Sequence, residues 1–351
     1  MSPGALRFLL ATLVVVFHYT SFGIGHMPVY LFFALSGYWV YTMWQNKYSA
    51  TREPYATFIV SRAWRLAPVF LLCSFGALAM SLALPLVVAP AAPFASPEPL
   101  ALMSSLVILG YNTAAGAPLV PAWSLDIELQ FYLVAPFVIA LLQRRALFAV
   151  VLCAGVSVAS FALFYDRAFT SYLPWFLAGM LAARYPALLP HRRVALASGM
   201  LALAIVVLFA IVPALRPVLF GGAHRGALYL AWNPLFNAAL AAVALPYALG
   251  TLGVRSGKFD RLLSDASYSL YLVHWLPLLY VTHYVPQIAA LPHFSRALAT
   301  MPLVLLSYAA AFAITVYVDR PCSHARERFV KARRATHEQP AAATLAPRSV
   351  R

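Results

Sequence analysis

The chain has 351 residues, of which 63% are hydrophobic and 10% charged, and its mean hydropathy of +0.79 excludes an ordinary water-soluble globular domain. Lysine and arginine number 25 against 10 acidic residues, a formal net charge of +15. Those basic residues are scattered between apolar runs instead of forming one basic face, which argues against a nucleic-acid partner and for an all-α polytopic membrane protein facing anionic lipid.

Apolar stretches of suitable length predict ten transmembrane helices, at 6–24, 27–45, 66–89, 127–142, 146–165, 171–184, 194–213, 228–250, 267–285 and 298–319. The first contains Arg7 and His18, separated by the apolar or small residues Phe8 to Phe17. A charged side chain at a helix centre costs roughly 2.5–3.5 kcal/mol in a bilayer, so such residues mark a pathway or a reaction. At about 1.5 Å per residue His18 lies roughly 16 Å deeper than Arg7. A guanidinium near one surface can hold an anion while the imidazole handles protons, although a neutral intramembrane histidine can also simply join helices by a hydrogen bond. The segment lacks an Ala-x-Ala-like cleavage site and runs straight into the next span, so it reads as a retained helix and not a signal peptide.

Before the third span, Arg62 and Arg65 stand three apart and share one helical face at the membrane boundary. They suit bidentate phosphate binding, and equally a role as topology anchors. The segment 90–126 contains Pro90, Pro93, Pro97, Pro99, Pro118 and Pro121 but no Lys or Arg, which predicts an irregular outer cap of the kind that covers sites. Within it, 100–112 is apolar but too short to cross, and reads as a re-entrant or interfacial helix. The cap ends in Trp123, Asp126 and Glu128. The two acids are two residues apart and point in different directions on a helix, with Glu128 further into the span and the better candidate for an inward role. Trp123, Tyr111 and Asn112 can stack on and hydrogen-bond a sugar, or belong to the interfacial aromatic belt. Further along, His274 closes the run Ser267 to His274, whose Ser and Tyr residues also look like interhelical packing partners. His224, His283 and His293 fall in or near outer loops and read as solvated.

With the N-terminus inside, every Lys and Arg except Arg167, Arg216, Arg225 and Arg296 falls on the cytoplasmic side, which satisfies the positive-inside rule and places both termini in the cytoplasm. The three cysteines, Cys73, Cys153 and Cys322, form neither a disulfide framework nor a metal-ligand pattern, so no metal is expected. Residues 1–321 read as one transmembrane domain. Residues 322–351 read as a basic cytoplasmic tail, disordered toward the Ala-, Pro- and Arg-rich end from 335. Neither an appended soluble domain nor an internal repeat is evident.

The order of these pieces resembles the acyltransferase-3 family of integral membrane acyltransferases. The matching elements are Leu6-Arg7 with Val16-Phe17-His18, the run Leu31 to Gly37, Arg62-x-x-Arg65-x-x-Pro68, Trp123-Ser124-Leu125-x-x-Glu128-x-x-Phe131-Tyr132, Trp175-Phe176-x-x-Gly179-Met180 and Ser267-Tyr268-x-x-Tyr271-x-x-His274. Asp126, Leu129 and Asp319-Arg320-Pro321 depart mildly from the family's usual residues. The resemblance implies a ten-helix domain in the bacterial inner membrane that takes an acyl group, usually acetyl, from cytoplasmic coenzyme A and passes it to a hydroxyl of an extracytoplasmic or lipid-linked glycan. It also implies donor contacts at Arg7, Arg62 and Arg65 and catalytic roles for His18 and Glu128; apart from the resemblance, Trp123, Asn112 and His274 are the candidate acceptor contacts. The resemblance further implies no permanently bound cofactor, with acetyl-CoA as a substrate.

Neutral imidazole, with an ordinary pKa of about 6.5, suits the removal of a hydroxyl proton, so His18 is the expected general base. Glu128 could orient His18 by holding its second nitrogen, bind the sugar, or be structural. An acyl-imidazole on His18 would use the same residues. A proton-coupled transporter or flippase of a glycan precursor is the competing class, since carriers also use intramembrane His and Glu.

Overall fold

The computed structural model describes residues 1–83, 99–114, 117–164, 168–220, 226–285, 287–291 and 293–342. Among these, the regular elements are helical: α1 (Pro3–Tyr19), α2 (His26–Met43), α3 (Pro54–Ala83), α4 (Pro99–Val107), α5 (Trp123–Arg144), α6 (Ala146–Phe164), α7 (Leu173–Arg184), α8 (Arg192–Ile211), α9 (Arg216–Leu219), α10 (Ala227–Gly250), α11 (Lys258–Val273), α12 (Trp275–Tyr284), α13 (Gln287–Ala290), α14 (His293–Ile314) and α15 (Arg320–Ala342). Pro90, Pro93 and Pro97 of the expected cap, residues 84–89 of the third span, Arg167, His224, Arg225 and the tail from 343 lie outside the described residues, as do the side chains of His283 and His293.

Six stretches are long and apolar enough to cross a membrane: Pro54–Met80, Val120–Arg144, Ala146–Phe164, Arg192–Ile211, Ala227–Gly253 and Ser295–Arg334. The other predicted spans meet shorter or less apolar helices. α1 is apolar but has 17 residues, α2 is diluted by Tyr, Trp and His, and α7 has only 12 residues. The span at 267–285 is broken into α11 and α12. Pro277 explains the break, because its ring lacks the amide that would donate to Val273 and clashes with that carbonyl. The piece at 100–112 forms the nine-residue α4 and then turns through the positive φ of Ile108 and Gly110, consistent with a segment too short to cross.

The centre of the bundle is α1, packed on α11, α2 and α14, while α2 packs in turn on α7, α10 and α5. The α2/α7 crossing is set by two small residues: a Cβ on Gly37 would collide with the Phe176 carbonyl, and one on Gly179 with the Ala34 carbonyl. Such close approach is how helices associate in lipid, where apolar burial gives no net drive. On the periphery, Leu147 and Leu163 of α6 are 77% and 75% exposed and Met200 of α8 is 71% exposed. α6 carries no charged residue and α8 only Arg192 and Arg193 in its first turn, so large apolar residues this exposed on them face lipid, which makes this an integral membrane protein.

Candidate functional site

α1 carries Arg7 and His18 to two levels of the bundle, and α11 delivers His274 opposite the upper one. His274 is fully buried. Its Nε2 lies 3.0 Å from His18 Nδ1 and its Nδ1 lies 3.0 Å from the Leu270 carbonyl oxygen. The rings of Phe17 and Trp275 stand edge-on to His18, with centroids at 4.9 and 5.3 Å. The Tyr19 hydroxyl donates to the His274 carbonyl at 2.7 Å. The Trp275 indole donates to the Pro118 carbonyl at 2.9 Å, tying the cap to the start of α12.

At the lower level a polar cavity of about 390 Å³ opens among α1, α2, α3, α5, α11 and α15, and Arg7, Arg62, Arg65, Arg261, Arg326 and Glu128 are among its lining residues. Two π-helical turns brace the α3 arginines. The turn Trp44–Tyr48 presents the Tyr48 hydroxyl, which accepts from Arg62 Nη2 at 3.1 Å, and Arg62 lies over the rings of Tyr48, Phe58 and Tyr132. The turn Thr315–Asp319 presents Asp319, which pairs with Arg65 at 2.9 Å, while the Arg65 guanidinium sits 5.0 Å from the Tyr268 ring centroid. The Nε atoms of Arg7, Arg62 and Arg326 are buried without a hydrogen-bond partner among the described residues. Five cations against one lining carboxylate give the cavity a strong positive excess, the chemistry that suits a multiply charged anion.

Glu128 stands between the two levels. Its Oε1 accepts from Ser36 at 2.6 Å and from Tyr132 at 2.5 Å. Arg7, Glu128 and Tyr268 also line a narrower space of about 60 Å³ above the polar cavity, closed by Phe32, Phe33, Ser124 and Tyr271. Beyond it, Trp123 packs near His26, Phe33 and Tyr172.

The acyltransferase-3 family, whose model is described as an acyltransferase domain, matches residues 2–320. The chain belongs to this family. Comparison with curated proteins and with solved structures found no match.

In this acyltransferase-3 domain the sequence candidates fall into three groups. Arg7, Arg62, Arg65 and Glu128 meet at the polar cavity, and His18 meets His274. The third group lies at the cap: the Asn112 backbone N–H donates to Asp126 Oδ2 at 2.9 Å, and the fully buried Asp126 also accepts from Gln130. That explains why Asp126 points away from the site, since it braces the cap. Tyr111 is buried with its hydroxyl accepting from the Leu119 amide at 2.6 Å, which makes it another brace and not a sugar platform. Of the roles left open for Glu128, that of orienting His18 is met at His18 Nδ1 by His274, while Glu128 Oε1 accepts from Ser36 and Tyr132. Sequence reasoning missed Ser36, Tyr48, Arg261, Asp319 and Arg326 as members of the site. Arg326 lay in the region read as tail, whereas α15 packs against α3 and buries Val330.

Proposed function

We propose that the protein is a membrane O-acyltransferase that moves an acyl group, acetyl in our reading, from acyl-CoA at the cytoplasmic face to a hydroxyl of an extracytoplasmic or lipid-linked glycan. In this reading the bundle crosses the bacterial inner membrane ten times with both termini cytoplasmic. The observation that carries it is the stacking of an arginine-lined cavity beneath the pair of half-buried His18 and fully buried His274, with a narrow space between them. That order matches the chemistry of the donor, whose nucleotide end is polyanionic and whose thioester lies at the far end of an extended arm.

The phosphates bind Arg7, Arg62 and Arg65, and the arm enters the space bordered by Glu128 and Tyr271. That space must widen, since it now holds little more than a water molecule or two. His18 takes the proton of the acceptor hydroxyl as its oxygen forms a bond to the acyl carbon. The carbon–sulfur bond then breaks, and the CoA thiolate takes the proton from His18. Trp123 and Asn112 lie on the acceptor's side. Positioned base catalysis contributes roughly 10²–10⁴-fold.

The test uses purified protein in nanodiscs, with acetyl-CoA binding and thiol release measured for wild type, His18→Ala and Arg7→Gln. Wild type binds and releases thiol, His18→Ala binds without release, and Arg7→Gln binds more weakly. Failure of wild type to bind any acyl-CoA would overturn the donor assignment and favour a carrier.

A further inference from the structure

We propose that His274 is a positioning residue that sets the tautomer of His18 and thereby makes Nε2 the nitrogen that takes the proton; this rests on the acyltransferase reading for its consequence, not for its structural content. The Leu270 carbonyl oxygen can only accept a hydrogen bond, so His274 Nδ1, 3.0 Å away, carries a hydrogen. His274 is fully buried, and its ring has the Leu270 carbonyl and His18 as hydrogen-bond partners, with no carboxylate bonded to it among the described residues to balance a charge. It is therefore neutral, with one N–H already committed. Its Nε2 is then an acceptor, and the 3.0 Å contact is an N–H donated by His18 Nδ1. With its hydrogen on Nδ1, neutral His18 has its lone pair on Nε2.

This is the less favoured tautomer of an isolated histidine side chain, so something must impose it, and the local fold shows what does. Pro277 ends α11 at Val273, and His274 folds its ring back onto the carbonyl four residues earlier. The Tyr19 hydroxyl holds the His274 carbonyl from α1, and Trp275 closes over the His18 ring. The same stretch of α1 that carries the base therefore fixes the residue that orients it. The arrangement has the logic of a catalytic triad, base oriented by a third group, with a neutral imidazole where a carboxylate usually stands. When His18 takes a proton at Nε2, the imidazolium keeps its Nδ1–H on His274, and the charge is relieved by passing the proton on to the leaving thiolate.

Nuclear magnetic resonance of isotope-labelled histidine in nanodiscs reads the tautomer without substrate. Wild type shows His18 protonated at Nδ1 and unprotonated at Nε2. In His274→Phe the His18 hydrogen moves to Nε2, while His274→Gln, whose amide oxygen can accept from Nδ1–H, keeps the wild-type tautomer. Thiol release from acetyl-CoA, with water as the accepting hydroxyl, falls on the order of 100-fold in kcat for His274→Phe with acetyl-CoA KM unchanged, and His274→Gln recovers most of it. A wild-type spectrum with His18 protonated at Nε2, or a tautomer unchanged in His274→Phe, overturns the proposal even if the enzyme is active. The predicted tautomers without thiol release from any acyl-CoA would instead uphold the positioning and defeat the acyltransferase reading.

Discussion

Arg62 and Arg65 are three residues apart on one helix, yet they are held by different means. Arg62 is enclosed by aromatic rings and a phenol, whereas Arg65 depends on a carboxylate that is itself only 4% exposed at the side chain. Removing one member of a buried ion pair leaves the other uncompensated and costs about 3 kcal/mol. Exposed pairs are worth about 1 kcal/mol or less, and Arg333–Glu53 is of that kind, with side chains 38% and 59% exposed. Thermal unfolding in detergent should therefore separate them: Asp319→Asn lowers the melting temperature by several degrees, and Glu53→Gln leaves it nearly unchanged. Equal shifts would mean that Arg65 is already solvated through the cavity. The difference also decides what the sequence could show about this site. Arg62-x-x-Arg65 is legible because both residues lie on one helix face, and Tyr132 could have been found as the partner of Glu128 by its spacing of four. Ser36, Asp319 and Arg326 reach the cavity from other helices, and His274 reaches His18 across 256 residues of chain, a juxtaposition that no local period encodes.

At the scale of the element, α1 is short for a membrane helix and bears the two residues on which the functional reading depends, so its entry must be fixed from outside. α11 supplies that fixture. Asp260 accepts from the Ala5 amide at 2.8 Å and from the hydroxyls of Ser2 and Ser256, placing a carboxylate at the N-terminus of α1 where it satisfies orphan donors and favours the helix dipole. Asp260 precedes the predicted span at 267–285. Burial alone would raise its pKa, but the donated hydrogen bonds outweigh it and hold the carboxyl below its ordinary value. A depressed native pKa contributes stability above the unfolded value of the carboxylate, and that contribution is lost as pH falls through the native value. Asp260→Ala should destabilise the protein by about 1 kcal/mol at neutral pH, with Asn recovering part of it, and the gap between wild type and Ala should narrow in acid. A gap constant down to the acid limit would show that the charge contributes nothing. The same scale shows why the predicted spans were only partly right. Hydropathy locates apolar runs but does not register the break that Pro277 imposes on the run at 267–285, nor that the 171–184 run ends as a twelve-residue helix wedged against α2. The basic stretch after 320, polar enough to read as tail, forms α15 because Val330 and Phe329 dock on α3 and Trp64.

At the scale of the whole molecule, the proposal requires two openings on opposite sides of the bilayer, one for a polyanion and one for a sugar. Ser256 lines the polar cavity and is exposed, while Thr113 is exposed on the cap at the other end. The native thiols leave these positions readable: Cys73 and Cys153 are buried and only Cys322 is partly accessible, so Cys322→Ser gives a quiet background. In sealed inverted vesicles a membrane-impermeant maleimide should label Ser256→Cys and spare Thr113→Cys, and in right-side-out vesicles the order should reverse. Acetyl-CoA should slow labelling at Ser256→Cys alone, because the proposal assigns the cavity that the five arginines surround to the donor. Labelling of both positions from one side would remove the geometry on which transfer across the membrane depends. Protection of the cap position by acetyl-CoA would reverse the assignment of the two ends. In the proposal the donor's own arm spans the roughly 16 Å along one helix axis between Arg7 and His18, so the motion it requires is the widening of the narrow space between the two levels.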